Sequence, residues 1–182
     1  DRPIVTFGTR PSPAIGAMTK RAIDILGSVL ALVALSPVAA ICALAVKLDS
    51  RGPVLFTQRR VGLHRRRFRL MKFRTMHVDA EARLNELEGQ NEVSGAAFKM
   101  KCDPRITRVG RVLRKLSLDE LPQFWNVLSG DMSLVGPRPL LMEYLSYYTP
   151  EQMRRHDVKP GITGWAQVNG RNALDWPAKL AL

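Results

Sequence analysis

The chain is poor in cysteine and histidine, and neither residue forms a pattern typical of a metal or redox site. Its 182 residues include two cysteines, Cys42 and Cys102, and three scattered histidines. Two cysteines without ligand spacing exclude a disulfide-stapled scaffold and a zinc motif. A Walker loop and a Rossmann glycine fingerprint are absent from the sequence as well. The composition therefore favours a reducing, cytosol-facing compartment.

Acidic residues are also scarce relative to basic ones. The sequence has 28 Lys and Arg but 16 Asp and Glu, which gives a formal net charge of +12. A surface this basic attracts anions such as nucleic acid, anionic lipid head groups or phosphorylated small molecules. Each basic residue held at an anionic membrane contributes about 1 kcal/mol of attraction. Charge alone leaves all three classes of partner open.

One long segment lacks charge almost completely. Between Arg21 and Lys47 lie 25 residues with one charge, Asp24, and at about 1.5 Å of rise per residue they reach across a bilayer. Ser36-Pro37 stands at the middle, where proline removes a backbone donor and favours a bend. Both flanks are basic, which fits poorly with a single crossing because positive charge tends to stay on the cytoplasmic side. We therefore predict a re-entrant helix-break-helix that turns at Ser36 and Pro37 within one leaflet, the alternative being a buried core helix of a soluble protein.

The apolar segment divides the chain into three predicted parts. Residues 1–18 contain three prolines and two glycines and are predicted to form a linker. Residues 19–47 are predicted to form the re-entrant membrane anchor, and residues 48–182 the remaining domain. The first residue is Asp1 rather than methionine, and the last residues resemble the start of a helix. We therefore expect the chain to be a piece of a longer protein, truncated at its carboxyl terminus. We also expect that it has no cleavable signal peptide.

After the anchor, the pattern predicts a small β-hairpin followed by a short helix. Residues 54–58 are rich in strand formers, and residues 67–70 alternate basic and apolar side chains, which is the period of a half-buried strand. Asp79 is expected to cap a short helix that ends at Glu88. Residues 90–105 are polar and are predicted to form a loop.

Two further helices are predicted beyond this loop. Over residues 106–116, apolar side chains recur at helical spacing with basic ones between them, which indicates a basic amphipathic helix. A second helix is predicted over residues 118–128. Thr149 and Gln152 match a capping box around Pro150, which predicts the start of another helix. The expected fold class is α+β, mostly helical, with amphipathic helices at the membrane interface.

An acidic pair, Asp119 and Glu120, is the most informative polar cluster. One interpretation is structural: Ser117 and Glu120 form a capping box, or Asp119 caps a helix whose third position is Pro122. The functional interpretation uses the same helix start, because free amide donors there bind phosphate oxygens. A carboxylate beside such a phosphate can act as a nucleophile when cations such as Mg²⁺ screen the repulsion. The local pattern leaves both interpretations open.

Three basic residues are candidate phosphate ligands. Arg138 lies between two prolines that fix its backbone, and its guanidinium suits bidentate phosphate binding. Lys72 interrupts an apolar run, where an inward-facing lysine needs an anionic partner. Arg114 precedes the acidic pair by about one helical turn. The alternatives are an ordinary surface arginine at position 138 and a solvent-facing lysine at position 72.

Taken together, these motifs resemble one family, the bacterial monotopic polyprenyl-phosphate phosphoglycosyl transferases, also called bacterial sugar transferases. The resemblance covers nearly the whole chain from Lys20 onward. It rests on ordered sequence blocks: Lys20-Arg21-Ala22-Ile23-Asp24 with Ser36-Pro37, then residues 56–62 (FTQRRVG), 72–76 (KFRTM), 117–123 (SLDELPQ), 130–139 (GDMSLVGPRP) and 159–171 (KPGITGWAQVNGR).

The resemblance implies an activity and a role for each candidate residue. Asp119 is expected to attack the sugar-bearing phosphate of a nucleoside-diphosphate sugar, usually a UDP-sugar, so that UMP leaves. The covalent phosphosugar then passes to a polyprenyl phosphate such as undecaprenyl phosphate. Glu120 is expected to assist as a base or metal partner, with Mg²⁺ bound by Asp119 and Glu120. Lys72, Arg114 and Arg138 match basic positions that hold phosphates in the family.

The resemblance also implies a location and a biological context. The protein is expected to be monotopic at the cytosolic face of the bacterial inner membrane, on anionic lipid, in the first membrane step of glycoconjugate or exopolysaccharide synthesis. Nucleic acid is not expected as a partner, and a homodimer is left open. One rival hypothesis is a DNA-binding module in which residues 109–128 form a helix-turn-helix, but it leaves the apolar segment unexplained. Another is an inactive family member that serves as a scaffold.

Overall fold

The computed structural model describes residues 13–87, 89, 100 and 103–168, which are mostly helical. Most of the predicted linker and the end of the block at 159–171 lie outside them. The helices are α1 (Pro13–Asp49), α2 (Leu84–Leu87), α3 (Arg108–Leu116), α4 (Gln123–Ser129), α5 (Pro150–Met153) and α6 (Trp165–Val168). The strands are β1 (Leu55–Val61), β2 (Arg67–Phe73), β3 (Ser133–Val135) and β4 (Gly161–Thr163). The mostly helical class with a small antiparallel hairpin is therefore confirmed.

The strands form two separate pairs. β1 and β2 form the predicted antiparallel hairpin, and its register pairs Arg60 with Phe68. β3 and β4 form a short parallel pair. Gly136 follows β3 directly, and a Cβ at this position would lie 2.3 Å from the carbonyl oxygen of Lys159. The absence of a side chain at Gly136 therefore allows the two segments to approach each other.

Helix α1 runs without interruption through Ser36 and Pro37. Because Pro37 has no backbone N–H, the carbonyl of Val33 loses its usual helical donor. The Ser36 hydroxyl donates to that carbonyl oxygen at 2.8 Å, so the acceptor stays satisfied inside an apolar segment, as a membrane requires. The predicted division into two helices is therefore not confirmed. Residues 13–18, predicted as linker, belong to the helix.

One face of α1 is apolar and exposed over most of its length. In the described part of the chain, α1 is the one helix long and apolar enough to cross a membrane, and 11% of its most apolar stretch is buried. Leu26, Leu30, Val33 and Ile41 are 65%, 69%, 69% and 68% exposed. The core helix of a soluble protein would bury such side chains, so the soluble alternative disagrees with the structure. A face of this kind matches the hydrocarbon of a lipid bilayer.

The opposite face of α1 contacts the rest of the protein near the amino-terminal end of the helix. Asp24 is 4% exposed, and its Oδ1 accepts hydrogen bonds of 3.0 Å from the Ser133 hydroxyl and the Leu134 amide. Lys20 donates to the same Ser133 hydroxyl. Arg21 donates to two carbonyl oxygens near the carboxyl end of α4, where a cation also complements the helix dipole. The one charge inside the apolar segment thus has a structural partner.

Helix α1 contacts the same domain again near its carboxyl-terminal end. Cys42 and Val46 pack with Phe73 of β2 and Leu113 of α3 in one apolar cluster, and each of these residues is at most 6% exposed. Burying a large apolar side chain contributes roughly 1.5–3 kcal/mol. Both ends of α1 are therefore held against one domain.

Two predicted helix starts are confirmed. Helix α3 covers most of the predicted amphipathic helix, and the Thr107 side chain caps it by accepting a backbone hydrogen bond from the first turn. Thr149 and Gln152 form the predicted capping box of α5. The short helix predicted from Asp79 begins later, at α2, because the residues before it form turns. Its predicted end at Glu88, like most of the loop after it, lies outside the described residues.

The helix predicted over residues 118–128 is confirmed in its second half, which forms α4 and ends at Gly130, whereas its predicted start and both capping schemes are wrong. The chain instead forms a 3₁₀ segment, Leu118–Glu120, followed by α4, because Pro122 lacks the donor that a continuous helix needs. The side chain of Ser117 makes no capping hydrogen bond. Asp119 lies inside the 3₁₀ segment and not before it, so helix capping does not account for the acidic pair.

The contact at Asp24 predicts a measurable contribution to stability. Replacing Asp24 with alanine leaves the Ser133 hydroxyl and the Leu134 amide without their acceptor, which costs about 1–3 kcal/mol of unfolding free energy. Denaturant unfolding of the detergent-solubilised protein measures this loss. Asp79→Ala, at a half-exposed ion pair with Arg83, is the matched control and is expected to cost less than about 1 kcal/mol. Equal losses in the two variants would contradict the role of Asp24.

Candidate active site

Side chains from three separate segments meet at the acidic pair. Asp119 and Glu120 lie in the 3₁₀ segment, Lys72 belongs to β2, and Arg138 follows β3. Ser117 adopts the left-handed conformation, with φ of 58°, which ends α3 and turns the chain directly into the 3₁₀ segment. Glu120 then meets the hairpin at Lys72. Residues far apart in sequence are thus brought to one place.

Glu120 binds two of the predicted phosphate ligands through one oxygen. Its Oε1 accepts from Lys72 Nζ at 3.0 Å and from Arg138 Nη2 at 2.8 Å. The Glu120 side chain is 15% exposed. Burial acts to raise the pKa of Glu120, but the charges and hydrogen bonds of Lys72 and Arg138 outweigh burial and lower that pKa. Glu120 is therefore ionised and holds two cations in fixed positions.

Asp119 is a buried carboxylate, 8% exposed. No lysine or arginine of the described residues lies within ion-pair distance of it. Burial raises the pKa of Asp119, the charge of Lys72 opposes this increase, Glu120 adds to it, and Arg114 opposes it. The structure therefore places a carboxylate that pairs with two cations beside one that forms no ion pair with the described residues.

Lys72 faces inward from β2. Alternate residues of a strand share one face, so Lys72 lies on the same face as the buried Phe68 and Leu70. Burial lowers the pKa of the Lys72 ammonium, and the charge of Glu120 opposes this effect. The alternative of a solvent-facing lysine disagrees with this arrangement, because the Lys72 side chain is 22% exposed and paired with Glu120.

Arg114 is held beside the acidic pair by α3. Its Nε donates to the Thr75 hydroxyl at 2.8 Å, and its charge acts to lower the pKa of Asp119. Helix α3 lies close to the chain after β2 because Gly110 has no side chain: a Cβ there would lie 2.1 Å from the Thr75 carbonyl oxygen. One close backbone contact thus sets the position of Arg114.

Arg138 reaches the acidic pair from a segment that Pro137 and Pro139 restrict. The Arg138 side chain is 46% exposed while it pairs with Glu120. Arg155 Nη2 donates to the Arg138 carbonyl oxygen at 3.2 Å, which adds a second constraint on this backbone. Arg138 is therefore a surface arginine with a defined partner, open on one side to a ligand.

Arg60 is a candidate residue that the sequence analysis missed. It lines a small cavity of ≈ 50 Å³ together with Lys72 and Arg138. Its Nη2 donates to Gln58 at 2.6 Å, and its buried Nε has no hydrogen-bond partner in the part of the chain that is described. Burial, followed by the charge of Arg138, lowers the pKa of Arg60 to about 10. The hairpin register places Arg60 opposite Phe68, and the strand sequences alone do not reveal this pairing.

The acidic pair is the candidate metal-binding set. Lys72 and Arg138 both donate to Oε1 of Glu120, and neither contact uses Oε2. That oxygen and the Asp119 carboxylate are ligands of the kind that Mg²⁺ prefers, usually together with substrate phosphates. Among the described residues no group of three or more His, Cys, Asp or Glu side chains could hold a metal ion. Phosphate oxygens would therefore have to complete the coordination.

Comparison with known proteins gives a family match over most of the chain. Residues 15–182 match the family model described as bacterial sugar transferase, and this range includes the acidic pair and its four basic neighbours. The chain is 49% identical over 163 residues to a Bacillus subtilis strain 168 protein named uncharacterized sugar transferase EpsL. That alignment covers 90% of this chain and 74% of the relative.

Two longer relatives carry more specific names. Undecaprenyl-phosphate glucose phosphotransferase from Komagataeibacter xylinus is 48% identical over 171 residues, which are 88% of this chain and 30% of the relative. UDP-glucose:undecaprenyl-phosphate glucose-1-phosphate transferase from Escherichia coli strain K12 is 46% identical over 171 residues, 92% of this chain and 34% of the relative. This chain thus spans about a third of these two proteins. The family match and these identities together show that the chain belongs to the bacterial sugar transferase family and is a transferase.

Proposed function

We propose that this chain transfers a sugar phosphate from a nucleoside-diphosphate sugar, most simply a UDP-sugar, to undecaprenyl phosphate and releases UMP. The observation that carries the proposal is the buried Asp119 carboxylate, which lies beside cations without an ion-pair partner among the described residues. The names of two relatives support the acceptor, since both contain undecaprenyl phosphate, and one of them also contains UDP-glucose.

Asp119 is the proposed nucleophile. A carboxylate oxygen attacks the sugar-bearing phosphorus and forms a P–O bond, while the bond from this phosphorus to the bridging diphosphate oxygen breaks. The bridging oxygen keeps the electron pair and leaves as part of UMP. An oxygen of undecaprenyl phosphate then attacks the same phosphorus of the aspartyl-phosphosugar. Asp119 leaves as a carboxylate, and the enzyme is regenerated.

Basic side chains around the acidic pair allow a diphosphate to approach a carboxylate. Arg60, Lys72 and Arg138 line one cavity, and guanidinium groups bind phosphate oxygens through paired hydrogen bonds. Glu120 already holds Lys72 and Arg138 in place. Their charges therefore need little reorganisation when negative charge develops in the transition state.

Mg²⁺ is the proposed cofactor at the acidic pair. Asp119 and Glu120 would hold it together with diphosphate oxygens, where it would offset the charge of the transferred group. The Oε2 oxygen of Glu120, which neither Lys72 nor Arg138 contacts, supports this assignment.

The two contacts of α1 support a monotopic, re-entrant arrangement at the cytosolic face. Asp24 near one end and Val46 near the other both contact the same domain. A helix that crossed the bilayer would place its ends on opposite faces, about 30 Å apart. We therefore place both ends on the domain's side, with a bend at Pro37, and the basic flanks identify that side as cytosolic. The active site then lies at the interface, where a lipid acceptor and a soluble donor can meet.

The monotopic arrangement predicts that both flanks of the apolar segment of α1 are accessible from one side of the membrane. Thr19→Cys and Arg51→Cys are placed singly in a background in which Cys42 and Cys102 are alanine. Both thiols are expected to react with a membrane-impermeant maleimide in inside-out vesicles and to be protected in right-side-out vesicles. Labelling of the two positions from opposite sides would show that α1 crosses the bilayer.

The nucleophile assignment predicts the effect of Asp119→Asn. UMP release from UDP-sugars, with Mg²⁺, undecaprenyl phosphate and detergent-solubilised protein, is expected to fall by at least ~10³-fold, because an amide cannot form the phosphosugar intermediate. Asp131→Asn, which changes an exposed carboxylate bonded to the Ser129 hydroxyl, is the control and should keep wild-type turnover. Sustained turnover in Asp119→Asn would rule out Asp119 as the nucleophile.

The charge of Lys72 predicts a pH effect. Asp119 must be ionised to attack, so kcat/KM should fall as the pH drops through its pKa. Lys72 acts to lower the pKa of both Asp119 and Glu120, so Lys72→Met should raise these values and move the acidic limb of the profile to higher pH. Lys115→Met, on the exposed face of α3, should leave the limb in place. An unchanged limb in Lys72→Met would contradict the electrostatic role.

A further inference from the structure

A second cavity lies at the turn of the β1–β2 hairpin. Its volume is ≈ 220 Å³, which is room for roughly seven water molecules at about 30 Å³ each. It shares no lining residue with the smaller cavity at the acidic pair. We refer to it as the hairpin-turn cavity, and its polar lining consists of His64, Arg65, Arg154, His156 and Asp157.

His156 shows most clearly that this cavity suits a ligand. The residue is 6% exposed, yet its Nε2 has no hydrogen-bond partner among the residues that the structure describes. The imidazole ring lies against Tyr148, with 5.7 Å between the ring centroids. A buried polar nitrogen without a partner costs about 1–3 kcal/mol. A ligand that supplies a hydrogen bond at this point would recover that cost.

The lining of the hairpin-turn cavity is basic. Arg65 and Arg154 are exposed, and Asp157 is the one carboxylate among the lining residues. Two arginines and one aspartate give a net charge of +1 (2 − 1). Burial, together with the charges of nearby arginines, lowers the pKa of His156, so its imidazole is neutral at pH 7, and in the tautomer protonated at Nε2 it donates one hydrogen bond from that atom. The cavity therefore suits an anion with several acceptor oxygens.

The backbone of the hairpin turn presents its side chains in an unusual conformation. His64 and Arg65 have φ of 50° and 63°, a region that costs residues other than glycine about 1–3 kcal/mol each. The turn is closed by the Gly62 amide, which donates to the Arg66 carbonyl oxygen at 2.8 Å. Opposite the turn lies the 3₁₀ segment Arg154–Asp157, which supplies the other polar lining residues.

We propose that the hairpin-turn cavity binds a phosphate group, held by Arg65 and Arg154 and hydrogen-bonded to His156 Nε2. Phosphate matches this lining because its oxygens accept from several donors at once and guanidinium groups bind it bidentately. The site lies outside the acidic pair and goes beyond the proposed transfer reaction. It is nevertheless close to that site, since Arg155 of the same segment donates to the Arg138 carbonyl oxygen. The phosphate belongs either to a soluble compound or to a lipid head group.

Thermal unfolding with inorganic phosphate tests the proposal. The titrations use protein with Arg138→Gln, which weakens phosphate binding at the acidic pair, in phosphatidylcholine nanodiscs at constant ionic strength. The Tm should rise saturably, because a ligand that binds the folded state stabilises it. Adding Arg65→Gln and Arg154→Gln should abolish the rise, and adding His156→Phe should weaken the apparent Kd about tenfold.

A matched charge control and a lipid arm complete the experiment. The double variant Arg67→Gln, Arg69→Gln also removes two positive charges, but from exposed positions of β2. It should preserve the phosphate-dependent rise in Tm. No saturable rise, or a rise that survives the change of Arg65 and Arg154, would overturn the proposal. Nanodiscs that contain phosphatidic acid then identify the source of the phosphate. If these nanodiscs raise the Tm without added phosphate, and the rise depends on Arg65 and Arg154, the phosphate belongs to a lipid head group. If the nanodiscs do not raise the Tm but inorganic phosphate still does, the phosphate belongs to a soluble compound.

Discussion

The contact of Glu120 with Lys72 and Arg138 is the interaction on which the candidate active site depends. It joins the 3₁₀ segment, β2 and the proline-flanked segment after β3 through a single carboxylate oxygen. Buried charges are costly unless they are paired, so the largely buried Glu120 and Lys72 need each other as partners, and the half-exposed Arg138 adds a second cation from the surface. Because both cations form ion pairs with Glu120, Asp119 lies beside them without forming an ion pair with either.

Helix α1 links membrane association to the same site. Its exposed face is apolar, whereas its other face buries Asp24 at one end and Val46 at the other. Asp24 accepts hydrogen bonds from Ser133 and Leu134, and the chain runs from this strand through Gly136 to Arg138. The residues that fix α1 against the domain therefore belong to the segment that carries Arg138, one of the two cations paired with Glu120. On the proposed function, the anchor positions the site as well as holding it near lipid.

Sequence patterns predicted the elements whose signals are local. The hairpin and α3 follow from periodicity, whereas the place of Lys72 in an apolar run left its orientation open, and its pairing with Glu120 shows that it faces inward. Of the helix predicted over residues 118–128, the second half forms as α4, because Pro122 lacks the backbone donor that a continuous helix needs. The predicted break in α1 is not confirmed, and the Ser36 hydroxyl supplies the donor that proline lacks. Arg60 could not be found in this way, because it depends on a hairpin register that the strand sequences alone leave open.

The central claim is that Asp119 carries the phosphosugar during transfer. The most direct measurement is mass spectrometry of acid-quenched protein after incubation with a UDP-sugar and Mg²⁺ in the absence of undecaprenyl phosphate. With Asp119 as the nucleophile, we expect a mass increase of one sugar phosphate at Asp119, equimolar UMP, and loss of the adduct when undecaprenyl phosphate is added. UMP release without an adduct, or an adduct at another residue, would contradict it.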